Sequence, residues 1–373
     1  MSNYTGIQII GYGSVTSQPT RVLPQTDVNA YRKDADMRAR ILCQVADWTR
    51  TTFAQKLGDS NTLKVFIAPE FYFRYGGPSQ PGVELNDSYP NGEQLLPNVA
   101  DAILKPFFAT QTYADWLIVP GTMFWHKSAQ QSGTTHPTYF NTVMVLKGGP
   151  GTELTPAERD ANTQRCEVPT MGGLSTNQKA LMSSIDYALD TDRSNWDAAL
   201  NPMFAPILGD WDWWRWHAFK VHGVAGPKGV PIVFGLEVCL EHIAATPDNP
   251  GGLGVLRTLE QHYPSQCSLP APKVDVQLVT SCGMTLQPGP GVAARVDGLA
   301  VLCDGMQPPG GATWPNINCA RVVGIDEHGT HNTALAAVPL MTQRLPDQLQ
   351  VGVTGQQHNP PDAVSVWETM DLR

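Results

Sequence analysis

A single cysteine, Cys239, follows an apolar run near the middle of the chain and precedes acidic and basic side chains. The run, residues 231–238, has the length of a strand and is preceded by glycine, which predicts a central strand of a covered sheet. Such a strand would present Cys239 at its carboxyl end, where a thiol can act as a nucleophile. An inert core residue is the alternative, because unpaired cysteine is among the most buried residue types.

A carboxylate occupies a comparable position upstream. Residues 63–69 form a second, largely apolar run that ends at Glu70, and three aromatic residues, 71–73, come next. Partial burial against aromatic rings would disfavour the ionised carboxylate, which suits a general base or acid that works near neutral pH. An ion-paired loop glutamate is the alternative interpretation.

In chain order, Glu70, Lys179 and Cys239 resemble the Glu-Lys-Cys triad of the nitrilase (carbon-nitrogen hydrolase) superfamily. The segment Gly-Leu-Glu-Val-Cys-Leu-Glu matches that family's nucleophile strand, which ends as glycine, two variable residues, an aliphatic residue, cysteine, a large residue and an acidic one. The Ala-Pro-Glu-Phe segment matches its glutamate strand. The resemblance also takes in the strands around residues 116–122 and 140–145, with Asn141-Thr142, and covers roughly residues 5–345.

The resemblance is incomplete at the lysine. The family has an aromatic and a basic residue before this lysine and a histidine soon after it, whereas here only the Ser-Ser-Ile-Asp continuation at 183–186 is present. Lys179 is therefore preferred by position, since for the family's pattern Lys147 is too remote from Cys239 in sequence and Lys220 is too close. Most lysines are solvated, so the residue type alone carries little information.

The resemblance implies an α/β fold with a four-layer α-β-β-α sandwich, and cleavage of a non-peptide C–N bond in an amide or nitrile without a metal or organic cofactor. Lys179 would promote the Cys239 thiolate, which would attack the substrate carbon and form a thioester. Lys179 and the backbone N–H of Leu240 would stabilise the oxyanion. Glu70 would transfer protons, and Glu241 would orient the lysine or a backbone amide.

Three alternatives remain open on the residues alone. The same thioester could pass its acyl group to an amine, which would make the protein an acyl transferase. A Cys-His glutaminase would place Cys239 on a nucleophile elbow near His242, but Glu237 and Glu241 stand where such an elbow has glycines. A non-catalytic binding protein could also use this fold.

Composition limits the other classes of function. The 373 residues are 42% apolar and 16% charged, with a formal net charge of −9. These values predict an ordinary globular protein and argue against binding to nucleic acid or to an acidic membrane, which favour basic surfaces. Without an obvious linker, we expect one catalytic domain over residues 1–350 and a polar tail over 351–373. The resemblance implies a homodimer or larger homo-oligomer acting on a small molecule.

The seven cysteines include no Cys-x-x-Cys pair, so we expect neither a zinc site nor a disulfide framework. The amino terminus lacks a signal-peptide pattern, and no apolar run approaches the roughly 20 residues of a membrane helix. A cytoplasmic protein is therefore expected. The tryptophan-rich stretch 211–216 is interpreted as a packed insertion, with a substrate pocket or a subunit contact as alternatives.

Apolar periodicity predicts the elements that must position these residues. The expected elements are a first strand over 5–11, a helix over 27–58, a helix over 93–110 interrupted at Pro97 and Pro106, a loop over 148–175, a strand over 274–282 beside the nucleophile strand, and a hairpin-like pair at 299–305 and 320–325.

Overall fold

Runs rich in Val, Ile, Leu and Phe form two β-sheets, joined by a small number of helices, in a mixed α/β fold. The computed structural model describes residues 2–17, 29–75, 88–127, 138–162, 164, 166–178, 217–243, 253–267, 269–306, 314–336, 338–351 and 360–372.

The elements are numbered in chain order. The strands are β1 (Ser2–Asn3), β2 (Gly6–Gly13), β3 (Thr62–Ile67), β4 (Tyr89–Pro90), β5 (Trp116–Val119), β6 (Thr122–Lys127), β7 (Thr138–Lys147), β8 (Thr170–Met171), β9 (Leu174–Gln178), β10 (Ala218–Ala225), β11 (Pro231–Val238), β12 (Val274–Ser281), β13 (Ala294–Asp304), β14 (Asn316–Ile325), β15 (His331–Leu335), β16 (Pro339–Arg344), β17 (Ala363–Trp367) and β18 (Met370–Asp371). The α-helices are α1 (Ala30–Thr52), α2 (Gly92–Val99), α3 (Lys105–Phe108), α4 (Pro156–Ala161) and α5 (Val255–Cys267).

The first sheet, here called the cysteine sheet, has the order β1-β10-β11-β12-β13-β14-β15, with β8 also pairing with β10. Strands β11, β12 and β13 run parallel, and Val238 at the end of β11 lies opposite Thr280. The predicted neighbour of the nucleophile strand is thus confirmed. The predicted pairing of β13 with β14 is also confirmed, as an antiparallel ladder.

The second sheet, here called the glutamate sheet, has the order β16-β17-β2-β3-β5-β7-β6-β4. Strands β2, β3 and β5 run parallel, so that Ile67 at the end of β3 lies between Gly11 and Val119. Strand β17 pairs with β2 in the same sheet. Part of the segment expected to be a polar tail is therefore a buried strand.

The two sheets enclose an apolar core between them. The glutamate sheet contributes Ile7, Ile9, Val65, Ile67, Leu117 and Val143, and the cysteine sheet contributes Phe219, Phe234, Leu236, Val238, Leu278 and Val301. A second core joins α1 and α2 to the glutamate sheet, and a third joins α5 to the cysteine sheet. Each fully buried Leu, Ile or Phe stabilises the fold by about 1.5–3 kcal/mol, before the cost of ordering the chain.

Three predicted boundaries differ from the structure. Pro97 lies inside α2, and the helical run continues through a π-helical turn at Ala100–Leu104 into α3 instead of breaking. The predicted strand at 116–122 is divided into β5 and β6 around Gly121, whose φ of +81° suits glycine. The predicted loop at 148–175 contains α4 and β8, and β9 begins within it.

A disulfide links Cys166 to Cys267, 101 residues further along the chain. The expectation of no disulfide was therefore wrong. The pairing depends on the tertiary contact between the segment before β8 and the end of α5, where the Tyr263 hydroxyl also donates to the Cys166 carbonyl. The local spacing of the cysteines does not predict such a contact. A crosslink closing a loop of roughly 100 residues stabilises by up to about 4.7 kcal/mol in the chain-entropy picture. Such bonds are rare in cytosolic proteins.

Within the described part of the chain, none of the helices combines the length and the apolar character needed to cross a membrane.

The buried carboxyl of Asp362, just before β17, should make stability depend on pH. Its Oδ2 accepts hydrogen bonds from the Tyr12 hydroxyl at 3.0 Å and the Val351 N–H at 2.8 Å, and burial raises its pKa from 3.8 to about 6. The folded state then binds the proton more tightly than the unfolded state. We expect this group to lower the free energy of unfolding by about 3 kcal/mol as the pH rises from below 4 to above 6.

Urea unfolding of the wild type and Asp362→Asn between pH 3.5 and 7 checks this effect. The variant should lose the downward trend, while Asp347→Asn, a change at an exposed carboxylate, should keep it. Parallel pH curves for the wild type and Asp362→Asn would contradict the assignment.

Candidate functional site

Glu70 and Cys239 lie at the same end of the two-sheet core. Glu70 follows β3 and Cys239 follows β11, as the sequence predicts. Cys282 follows β12, and its thiol pKa is raised well above the ordinary value by burial and by the nearby carboxylates of Glu70 and Asp304. Since β11 and β12 are parallel neighbours, Cys239 also reaches this end.

The Glu70 side chain is fully buried, and its Oε1 accepts a hydrogen bond from Asn141 Nδ2 at 2.9 Å. The chain turns sharply after it, because Phe71 has a φ of +61° and its N–H donates to Thr122 Oγ1 at 2.8 Å. Gly121 makes room for this turn, since a Cβ there would lie 2.3 Å from the Pro69 carbonyl oxygen. These contacts fix the direction of the carboxylate.

A buried network behind this turn was missed by sequence reasoning. Arg38 Nε donates to Asp34 Oδ2 at 2.8 Å, and Arg38 Nη1 donates to the Tyr72 carbonyl at 3.0 Å. The Tyr72 and Tyr89 hydroxyls donate to the Arg38 carbonyl and to Asp34 respectively. The available signal was the i, i+4 spacing of Asp34 and Arg38 on one face of α1. This network attaches the loop after Glu70 to α1.

Cys239 forms an elbow between β11 and a 3-10 turn, Cys239–His242. It is 5% exposed and has a φ of +50°, a conformation that costs a non-glycine residue roughly 1–2 kcal/mol. Glu241 bridges the elbow, since its Oε2 accepts from the Val238 N–H at 2.7 Å. Its Oε1 lies 3.5 Å from His217 Nε2. Leu240, whose N–H is the candidate oxyanion donor, is the second residue of the turn and is partly buried against the α5 core.

Glu237 and Cys239 occupy different faces of the sheet, although residues two apart in a regular strand share a face. Cys239 belongs to the core between the sheets, whereas Glu237 Oε1 accepts from the Leu256 N–H of α5 at 2.9 Å. The left-handed turn at Cys239 breaks the alternation of the strand. His242 lies 2.8 Å from Glu237 through Nδ1 and accepts the Gln287 N–H at Nε2, at 3.0 Å. Because both imidazole nitrogens are occupied, His242 is unavailable as a base for Cys239.

The competing lysines lie away from this end of the core. Lys147 pairs with Leu117 at the start of β5, and its ammonium donates to the Ala114 and Gly148 carbonyls. Burial lowers the pKa of Lys147 to about 8. Lys220 lies opposite Val233, near the amino end of β11.

Lys179 and the tryptophan-rich stretch 211–216 lie outside the described residues. Strand β9 ends at Gln178, opposite Thr142 of β7.

Asp304 closes the same end of the cysteine sheet and was also missed. Its carboxylate accepts from Ser281 Oγ and from the N–H groups of Gly283, Met284 and Met306, at 2.5, 2.8, 2.6 and 2.6 Å. The aspartate at the end of an apolar run was the only sequence signal. Through these bonds the loops after β12 and β13 are held together. Among the described residues, no three His, Cys, Asp or Glu side chains form a group that could hold a metal ion.

No family model and no curated protein matches this sequence. A solved structure, the NitN amidase from Neterenkonia sp. AN1 after removal of its His-tag, is similar over 96% of this chain and 92% of its own, at 12% identity and a TM-score of 0.39. A likeness at this level carries no argument for a shared activity.

Glycine variants are ordinarily less stable than alanine variants, but the left-handed backbone at Cys239 predicts the opposite order for Cys239→Gly and Cys239→Ala. Glycine adopts a φ of +50° without strain, whereas alanine keeps the cost. We expect the free energy of unfolding of Cys239→Gly to equal that of Cys239→Ala or to exceed it by up to about 1 kcal/mol. Urea denaturation of both variants measures the difference.

Ser281, near the matching end of β12, supplies the control pair. There the glycine variant should be the less stable one, because glycine weakens a strand. If Cys239→Gly and Ser281→Gly lose the same amount relative to their alanine counterparts, the elbow is not strained.

Proposed function

We propose that this protein is a carbon-nitrogen hydrolase that cleaves an amide or nitrile through a thioester on Cys239. The observation that carries the proposal is the position of Cys239 on a left-handed elbow at the same end of the core as the buried carboxyl of Glu70. Strained backbone at a nucleophile is typical of catalytic sites. A core cysteine that only fills space has no need of such a turn.

Glu70 is the proposed proton carrier. It accepts the thiol proton of Cys239, passes that proton to the leaving amine, and then takes a proton from the water that hydrolyses the thioester. For a nitrile, the same proton goes to the nitrogen of a thioimidate, which adds water and loses ammonia to give the thioester. Asn141 holds one carboxylate oxygen during these steps. The N–H of Leu240 is proposed to face the atom on which negative charge develops.

Lys179 is proposed to complete the triad by supplying positive charge beside the thiolate and the oxyanion. Its position in the chain supports this choice. Strand β9 ends opposite Thr142, the residue next to Asn141, and Lys179 is the next residue after β9. Lys147 and Lys220 are set aside because both lie away from the carboxyl ends of β3 and β11.

The order of the packed layers supports a more specific fold assignment than a mixed α/β protein. Helix α1, the glutamate sheet, the cysteine sheet and α5 follow one another through three apolar cores, which is the order of a four-layer α-β-β-α sandwich. We propose this architecture for a single catalytic domain that includes β17 and β18 as well as residues 1–350, since both strands pair with β2. Transfer of the acyl group to an amine instead of water would use the same intermediate.

A covalent adduct is the direct test of this chemistry. After incubation with a panel of aliphatic and aromatic amides and nitriles, intact-mass and peptide mass spectrometry should find an acyl group on Cys239. Cys239→Ala should abolish turnover with a nearly unchanged melting temperature, and Glu70→Gln should slow turnover by about 10²-fold or more.

Cys282→Ala is the matched control, because Cys282 lies at the same end of the core with a raised thiol pKa. This variant should keep the adduct on Cys239. The proposal fails if no substrate leaves an adduct and iodoacetamide modifies Cys239 no faster than Cys282.

The lysine can be identified by the same thiol chemistry without a known substrate. Loss of a neighbouring cation lowers the thiolate fraction, so Lys179→Met should slow alkylation of Cys239 by iodoacetamide by about tenfold or more at pH 7. Lys147→Met and Lys220→Met should leave the rate unchanged. A slow Lys147→Met or Lys220→Met with a normal Lys179→Met would reassign the triad.

A further inference from the structure

We propose that His242 is a positioning residue for the nucleophile, an inference that rests on the proposed role of Cys239. It acts through a buried brace, defined as Glu237, His242 and Gln277 together with the N–H of Gln287. The three side chains of the brace are each 0% exposed.

The brace spans the elbow from one side to the other. Glu237 is the second residue before Cys239 and His242 the third after it, and their side chains meet at 2.8 Å. The bond therefore closes a short ring of chain with Cys239 inside it. A non-glycine residue held at a φ of +50° needs such closure, since the relaxed backbone would otherwise favour another conformation.

The hydrogen-bond partners determine where the imidazole proton lies. The Gln287 N–H can only donate, so Nε2 of His242 must accept and carries no proton. Nδ1 then carries the proton and donates it to Glu237 Oε2, which also accepts from Gln277 Nε2 at 2.7 Å. His242 is thus a neutral Nδ1–H imidazole with both nitrogens in use.

The same side chains connect the elbow to two neighbouring elements. Glu237 Oε1 accepts the Leu256 N–H in the first turn of α5. Gln277 donates to the Gly291 carbonyl and accepts from the Ala293 N–H, each at 2.8 Å. The brace therefore holds the Cys239 turn, α5 and the loop of residues 287–293 in one arrangement.

Close packing restricts the imidazole of His242 to one position. A Cβ at Gly291 would lie 2.5 Å from His242 Cε1 and 2.6 Å from Nε2, and a Cβ at Gly254 would lie 2.9 Å from Glu237 Oε1. Both glycines allow backbone to approach the brace. A group this confined transmits small displacements to Cys239, and a misplacement of about 1 Å can slow a reaction by about 10²-fold.

Two amide variants separate the two bonds of His242. Asn places an N–H near the position of Nδ1, which keeps the bond to Glu237, and Gln places an oxygen near the position of Nε2, which keeps the bond to Gln287. Phe fills the space and keeps neither. The readout is the rate at which iodoacetamide alkylates Cys239, measured by peptide mass spectrometry and normalised to that of Cys239 in the wild type.

We expect His242→Phe to slow this alkylation by about tenfold or more, with His242→Asn and His242→Gln each recovering part of the loss. With a substrate in hand, kcat should fall while KM changes little. The ¹⁵N spectra of labelled wild-type protein should show His242 as the neutral Nδ1–H tautomer.

His331→Asn is the matched control. His331 is a buried histidine of the cysteine sheet whose Nδ1 lies 2.8 Å from the Ala294 carbonyl, and it belongs to β15 instead of the elbow. This variant should alkylate at the wild-type rate.

These outcomes separate the role of His242 from the role of Cys239. Normal alkylation in all three His242 variants, equal slowing by His331→Asn, or an Nε2–H tautomer would overturn the role of His242 while the nucleophile stands. If wild-type Cys239 reacts no faster than Cys282, the nucleophile and its positioning residue fall together. Should His242→Phe not fold, the two amide variants still decide, because each should alkylate Cys239 more slowly than the wild type whereas His331→Asn should not.

Discussion

The burial of apolar side chains between the two sheets is the constraint on which the rest of the structure depends. In these apolar surroundings, polar groups at the carboxyl ends of the parallel strands are stabilised by partners inside the protein, because an unpaired buried charge costs several kcal/mol. Asn141 binds Glu70, four donors surround Asp304, and two backbone amides are held by Glu237 and Glu241. The polar groups therefore form ordered contacts at one end of an otherwise apolar core.

Both strands that carry a candidate reactive group end in the same unusual way. Phe71, directly after Glu70, and Cys239 itself have left-handed backbone without being glycine. Side-chain hydrogen bonds hold both turns: Thr122 accepts the N–H of Phe71, and Glu237 binds His242 across Cys239. Strain of this kind persists only where the surroundings over-determine it. At the ends of β3 and β11, this strained backbone determines the directions of the Glu70 and Cys239 side chains.

Local signals account for what the sequence could predict. The apolar runs before Glu70 and Cys239 and the strand that became β12 depend on residue type over a few positions, and all three were confirmed. The sequence could not show that Glu237 and Cys239 lie on different faces of the sheet. This arrangement depends on the positive φ of Cys239, which its residue type does not predict. The Gln287 N–H that binds Nε2 of His242 lies 45 residues further along the chain, beyond any local pattern. The role of Lys179 remains a prediction.

The disulfide between Cys166 and Cys267 gives the chain a property that folding alone would not. A single backbone cut anywhere between these residues leaves two pieces joined through sulfur, with Glu70 on the first piece and Asp304 on the second. The contacts of Glu70 with Asn141 and of Asp304 with its loops would each remain within one piece. Proteolytic nicking in this interval would therefore produce a two-chain form that separates only after reduction.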